Sequence, residues 1–358
     1  MPRYLHCDRV LCGTVILLSF FGLVMVFSAT TGGEGSSARY VIKQSIALAL
    51  GLAAMRTFMF LDYRHWRRPR FVFPVVGISV ALLVVVFFGA QTANTYRFLR
   101  FGAISFQPSE LAKIAVIVFL AFYLDKHGDK LNEWRTLLGC SAILGVFGLL
   151  VLGGRDLGGT IMLILIAAVM FWAAGLRMSY FVLASLVALP LLALAVWLEP
   201  YRVERLMVFL NPESDPANSG FQIIQSQIAV GSGGLFGQGL MEGRQKMRFL
   251  PLVHTDFIYA LICEELGFIV ATLVVVAFGV LLWRGVVVAL RAPDRFGMYL
   301  AIGITAMIVC QAMVNLGVVL AMLPTKGMPL PFVSYGGSSV VMSLAASGIL
   351  LSVSRHAG

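Results

Sequence analysis

The sequence predicts an all-α polytopic membrane protein: about ten transmembrane helices, with one large extracytoplasmic loop between helices seven and eight. Three observations lead there. Of 358 residues, 59% are apolar and only 12% are charged, where a soluble domain carries about 25% charged residues. Mean hydropathy is +0.90. Long apolar runs such as residues 80–86 (ALLVVV after Val80) show no polar–apolar alternation. Inside lipid only helices and closed barrels satisfy the backbone, and a barrel strand would alternate. A soluble enzyme, a disordered chain and a nucleic-acid-binding domain are excluded on the same grounds. The chain reads as a single membrane domain, 1–358, with the loop 199–254 inside it.

Crossing the hydrocarbon takes about 20 apolar residues. Runs of that kind occupy 10–29, 42–60, 71–89, 108–124, 137–153, 157–175, 178–198, 255–283, 297–322 and 337–354. The first follows Arg3 and Arg9 and ends near Ser28-Ala29-Thr30, which imitates a cleavage site. Its length exceeds the 7–15 residues of a signal-peptide core, so it reads as a retained helix. Ten spans put both termini on one side. With that side cytoplasmic, the inner segments collect Arg3, Arg9, Arg64, Arg67, Arg68, Arg70, Lys126, Lys130, Arg135, Arg177, Arg284, Arg291, Arg295 and Arg355. The short outer loops hold fewer: Arg39, Lys43, Arg97, Arg100, Arg155 and Lys326. Lys and Arg gather in cytoplasmic loops, so both termini are expected in the cytoplasm. The bias accounts for much of the net +10, from 27 Lys+Arg against 17 Asp+Glu, and calls for no nucleic acid.

The loop 199–254 is longer than ordinary connections, which marks a functional or disordered segment. Phe221 to Val230 (FQIIQSQIAV) reads as a short amphipathic helix lying at the interface. The glycine-rich stretch Gly231 to Gly243 matches neither GxxxxGK[ST] nor GxGxxG. It reads as turns that bring backbone to the membrane surface. Leu323 to Ser339 (LPTKGMPLPFVSYGGSS) breaks helix with prolines and glycines, and its small polar residues suit a cavity lining or a re-entrant loop. Cys7, Cys12, Cys140, Cys263 and Cys310 are odd in number and lack a CxxC, so they read as small buried hydrophobes.

Ionisable groups at a membrane are costly and therefore informative. The informative acids are Glu110, Asp156, Asp256, Glu264 and Glu265, with Glu110, Asp156 and Asp256 at or near the outer ends of spans. Gln107-Pro108-Ser109-Glu110 opens span four, proline fitting the first helical turn. Glu110 and Lys113, three apart, share a helix face; the pair is either a structural anchor or part of a site. Arg97 and Arg100 lie in the preceding loop, placed for phosphate or for interfacial snorkelling. His254-Thr255-Asp256 closes the long loop. Thr255 and Asp256 suit the start of span eight as cap and dipole partner. Alternatively, Asp256 is a carboxylate at the lipid–water boundary, raised by desolvation into the range of a general base. Arg244, Lys246 and Arg248 approach the same region.

Taken together, FQPSELAK (106–113), RDLGGT (155–160), YRVERLMVFLNPESDP (201–216), GFQIIQSQIAVGSGGLFGQG (220–239), RQKMRFLPLVHTDFIYALICEELG (244–267) and LPTKGMPLPFVSYGGSS resemble, in order, one family. It is the SEDS (shape, elongation, division, sporulation) family of FtsW/RodA-type peptidoglycan glycosyltransferases. Pro324-Thr325-Lys326-Gly327 is closer to the division branch, FtsW, than to the elongation branch, RodA. Carried over, the resemblance puts the essential acid on Asp256, the intramembrane pair on Glu110 and Lys113, and the outer-loop arginine on Arg97, followed here by Phe98 rather than Trp. Two departures stand out: Pro251-Leu252 replaces Pro-Glu, and Arg155 replaces the proline of the acid–glycine turn.

The resemblance implies a lipid II polymerase in the bacterial cytoplasmic membrane, active at its outer face, for septal wall synthesis in division. Alternatives are an elongation polymerase, a lipid II flippase, or a division scaffold without chemistry. The charge-poor inner halves of the spans, apart from Arg56, favour outer-face catalysis over a flippase. Asp256 is the implied base. Arg97, Glu110, Lys113, Lys246, Arg248, His254, Thr255, Lys326, Ser334 and Tyr335 are the implied substrate-binding residues, with Gln107, Ser109 and Asp156 shaping the cavity. A divalent cation, Mg or Mn, is allowed as an aid; no organic cofactor is expected. The chain has no SxxK motif, so crosslinking falls to a partner, a class B penicillin-binding transpeptidase, beside other division-machinery membrane proteins.

Overall fold

Each apolar run is helical in the computed structural model, which describes residues 7–31, 37–89, 96–101, 104–214, 220–243, 253–325 and 327–357. In chain order these are α1 (Arg9–Thr30), α2 (Ser37–Phe60), α3 (Pro69–Val85), α4 (Pro108–His127), α5 (Trp134–Gly153), α6 (Leu157–Ala173) and α7 (Met178–Trp197). After two shorter helices, α8 (Pro200–Leu210) and α9 (Phe221–Ser232), come α10 (Ile258–Leu290), α11 (Arg295–Val319) and α12 (Gly337–His356). The ends obey local chemistry. Asp8, Asp156 and Asp294 accept from the backbone N–H groups of Leu11, Gly159 and Gly297 at 3.0, 2.9 and 2.7 Å, capping α1, α6 and α11. Pro69 and Pro108 open α3 and α4, where a missing N–H is harmless.

Eight of these helices are long and apolar enough to cross a membrane, so the chain is a multi-pass membrane protein. The other two expected spans are α4, which carries Glu110, Lys113, Asp125 and Lys126, and α6, of 17 residues. α4, α11 and α12 form the buried centre, while no described residue of α7 is buried. The all-helical expectation misses one small element. Ahead of α4, β1 (Leu99–Phe101) and β2 (Ile104–Phe106) pair antiparallel.

The expected single span 255–283 is instead two helical arms broken at Gly267. The backbone there has φ 75° and ψ −177°, a region open only to glycine. The arms fold against each other: Tyr259 Oη donates to the Ala271 carbonyl at 3.3 Å, across a separation that a straight helix would stretch to about 18 Å. Residues 268–290 alone, about 35 Å of helix, suffice to cross.

The glycine-rich stretch explains how the break is tolerated, and corrects its expected role. It packs on α10. Gln238 and Gly239 donate their N–H groups to the carbonyls of Glu264 and Glu265 at 2.9 and 3.0 Å. Phe268 and Ile269 donate to Gly234 and Leu235 at 2.9 and 3.3 Å. In an unbroken helix those four α10 groups would bond one another; the break trades two helical bonds for four. A Cβ on Gly237 would lie 2.1 Å from the Glu265 carbonyl oxygen, so only glycine allows the approach.

Candidate active site

The end of the bundle that holds the tops of α4, α6 and α11 also gathers the irregular segments. Asp156, at the start of α6, accepts from Ser109 Oγ at 3.2 Å and from Gln107 Nε2 at 3.3 Å, tying the mouth of α4 to α6. Arg97, just before β1, places its guanidinium 4.0 Å from the same carboxylate and donates to the Arg155 carbonyl. Its Nε is buried with no hydrogen-bond partner among the described residues.

Asp256 lies in the turn that leads into α10. That helix begins at Ile258, with Phe257 at the cap position and no side-chain cap bond from it. The Asp256 carbonyl accepts from Asn315 Nδ2 at 2.8 Å, and a Cβ on Gly327 would sit 3.0 Å from its carboxylate. No described side chain reaches that carboxylate at ion-pair distance. Desolvation pushes its pKa up to about 6, against the opposing pull of the Arg205 and Arg97 guanidiniums. Arg205, on α8, donates to the Thr325 carbonyl at 3.0 Å.

His254 forms one wall. Its ring packs on Tyr40 and Tyr335 at centroid distances of 5.0 and 5.5 Å, and its carbonyl accepts from the Tyr335 N–H at 2.9 Å. Burial lowers its pKa, which favours the neutral ring. Thr255 is half-buried beside it. Ser334 Oγ accepts from the Leu330 N–H at 2.8 Å and closes a turn in the segment between α11 and α12.

Glu110 and Lys113 do form an ion pair, at 2.8 Å, with residue exposures of 6% and 4%. Lys113 Nζ also donates to Gln311 Oε1 at 2.6 Å, and Gln311 Nε2 donates to the Pro329 carbonyl at 2.9 Å. The pair therefore meets the site through α11 and the 327–330 segment. Lys246, Arg248 and Lys326 lie outside the described residues, as do the side chains of Arg100 and Arg244.

Sequence reasoning missed Arg205, Gln311 and Asn315. Arg205 is one charge among several in a long loop. Gln311 and Asn315 are amides one turn apart in an apolar run, and that i, i+4 spacing is the signal that was available.

The fold around this site is shared. The cell cycle protein family of FtsW, RodA and SpoVE matches residues 8–358. The chain belongs to the FtsW/RodA/SpoVE family. A probable peptidoglycan glycosyltransferase FtsW of Geobacter sulfurreducens is 42% identical over 98% of this chain and 95% of that protein. Stage V sporulation protein E of Bacillus subtilis is 41% identical, covering 98% and 97%. Among solved structures, a chain of a peptidoglycan synthase complex that coordinates polymerization and crosslinking superposes with TM-score 0.82 at 30% identity, covering 98% of both chains. RodA of Thermus thermophilus gives 0.74 at 29% identity, covering 99% of this chain and 98% of that one. The FtsW/RodA fold thus extends over the whole described chain, site included.

Proposed function

We propose that this chain is a peptidoglycan glycosyltransferase that polymerises lipid II, a disaccharide-pentapeptide on undecaprenyl diphosphate, at the outer face of the bacterial cytoplasmic membrane during septal wall synthesis. The observation that carries the reading is the Asp256 carboxylate in the turn before α10, set against Gly327 with no described cation at ion-pair distance, its pKa raised to about 6 by desolvation against the pull of Arg205 and Arg97. A base poised near the working pH suits proton removal from a sugar hydroxyl. Asp256 takes the proton of the GlcNAc 4-hydroxyl of one unit. That oxygen bonds to MurNAc C1 of another with inversion. The bond from C1 to the diphosphate breaks, and its electron pair leaves on undecaprenyl diphosphate. Arg97 and Arg205 offset the charge that grows on the diphosphate. The Arg97 Nε, with no partner among the described residues, is a donor available to one of its oxygens.

Among the described residues no three His, Cys, Asp or Glu side chains cluster as a metal cage. Ten crossings with both termini cytoplasmic put this end of the bundle outside. Crosslinking falls to a class B transpeptidase, a reading supported by the likeness to a synthase-complex chain. The test is glycan formation from purified lipid II in proteoliposomes. Strands formed by the unmutated chain and lost in Asp256→Asn support the proposal. Lipid II crossing the bilayer with no glycan formed overturns it in favour of a flippase.

A further inference from the structure

Asn315 is 1% exposed and sits four residues from the end of α11. One carboxamide nitrogen donates to two backbone carbonyls, that of Asp256 at 2.8 Å and that of Met328 at 2.7 Å. These carbonyls belong to segments far apart in sequence: the turn that carries the carboxylate, and the irregular segment whose Gly327 lies against it. One turn earlier on the same helix, Gln311 holds the next carbonyl, Pro329, and takes a bond from Lys113. The two amides form a ladder that runs from the buried ion pair to the backbone of Asp256.

The other half of the Asn315 amide is as informative. Its Oδ1 is buried with no hydrogen-bond partner among the described residues. A buried acceptor left unpaired is destabilising. A residue chosen only for packing at this position would be apolar, because the surrounding helix is. With the nitrogen facing the two carbonyls, the oxygen points where no described group donates to it.

We propose that Asn315 is a positioning residue for Asp256: it fixes the turn that carries the carboxylate against the 327–330 segment. Gln311 extends the same clamp to Lys113. The inference rests on the proposed role of Asp256, and its reach is the geometry of that one carboxyl group. Loosening the clamp lets the Asp256 turn separate from Gly327 and admits water to the carboxylate.

The experiment compares the purified full chain with Asn315→Ala and Asn315→Ser, the second keeping one donor. Two readouts are taken. The first is the kcat and KM of glycan formation from lipid II. The second is carbodiimide labelling of Asp256 across pH, followed by mass spectrometry, which reports the protonated carboxyl and needs no activity. Asn315→Ala is expected to lower kcat about 10- to 100-fold, within the usual worth of a well-placed base, with KM changed less than about threefold. The labelling midpoint is expected to fall from near 6 toward that of an ordinary carboxylate, with Asn315→Ser between the two. If Asn315→Ala does not accumulate, Asn315→Ser carries the comparison. A folded variant with unchanged kcat and an unmoved midpoint overturns the proposal, as does a raised KM at constant kcat, which would make Asn315 a substrate contact. Should the unmutated chain form no glycan, the polymerase reading falls, and the labelling curves still decide whether Asn315 positions the carboxyl group.

Discussion

The two ends of the helix bundle differ in one acid. At the end near the chain termini, acids and bases meet each other. Asp8 caps α1 and pairs with Arg284 at 2.6 Å. Arg67 reaches Asp125 at 2.8 Å, Arg295 reaches Asp129 at 2.8 Å, and Tyr63 Oη donates to Asp294 at 2.6 Å. At the other end Arg97 approaches Asp156 at 4.0 Å and Arg155 reaches Glu199 at 3.4 Å, but the Asp256 carboxylate meets no described cation at ion-pair distance. Paired charges fasten helices together. A carboxylate kept from pairing holds its basicity for something else.

The sharpest way to break this contrast is Asp256→Asn. Glycan formation is expected to fall about 10²–10⁴-fold. The pKa of Asp256 is raised from 3.8 to about 6 in the folded chain. Its contribution to stability is therefore full below pH 3.8 and is lost as pH rises through about 6. At pH 7.5 the ionised group opposes folding, so Asp256→Asn is expected to melt no lower than the unmutated protein. A lower melting temperature would make Asp256 a structural charge like those at the opposite end. The same carboxylate sets the pH profile. The polymerisation rate is expected to fall about tenfold per unit below pH 6, and a profile flat down to pH 5 would remove Asp256 as base.

Lys113→Met tests the buried pair between the two ends. It leaves Glu110 unpaired at the cost of about 3–5 kcal/mol, read as lost yield or a lowered melting temperature in detergent. Asp8→Asn at the fastening end keeps the cap and loses the Arg284 pair. About 1.5–3 kcal/mol of stability is expected to go, with no change in the rate per folded molecule. Arg295→Gln is the smallest: its ion pair is solvent-exposed, and the melting temperature is expected not to move measurably. A rate loss in either of these last two variants would blur the division between the ends.

Much of this was legible in the sequence, for a physical reason. Lipid allows few ways to bury a backbone, so apolar runs of span length announce helices, and acids that interrupt their ends stand out. Glu110, Lys113, Asp156 and Asp256 were found that way. Gly267 was not, because a glycine in an apolar run reads as a tolerated weak point; the two glutamates just before it were the available warning. Arg205 and Asn315 were missed for a different reason. Their partners are backbone carbonyls of remote segments, which leave no trace in side-chain pattern.

The exchange of backbone partners at Gly267 also sets an order of assembly. Residues 234–239 leave the ribosome ahead of 264–269 and wait for them. If α10 then entered as one unbroken rod, its own bonds would close, and four backbone groups of the waiting segment would be left to water. Folding the rod at Gly267 recruits all four. The bend therefore leaves the arm that is long enough to cross intact, and sets the first nine residues of α10, with the Asp256 turn before them, apart from it.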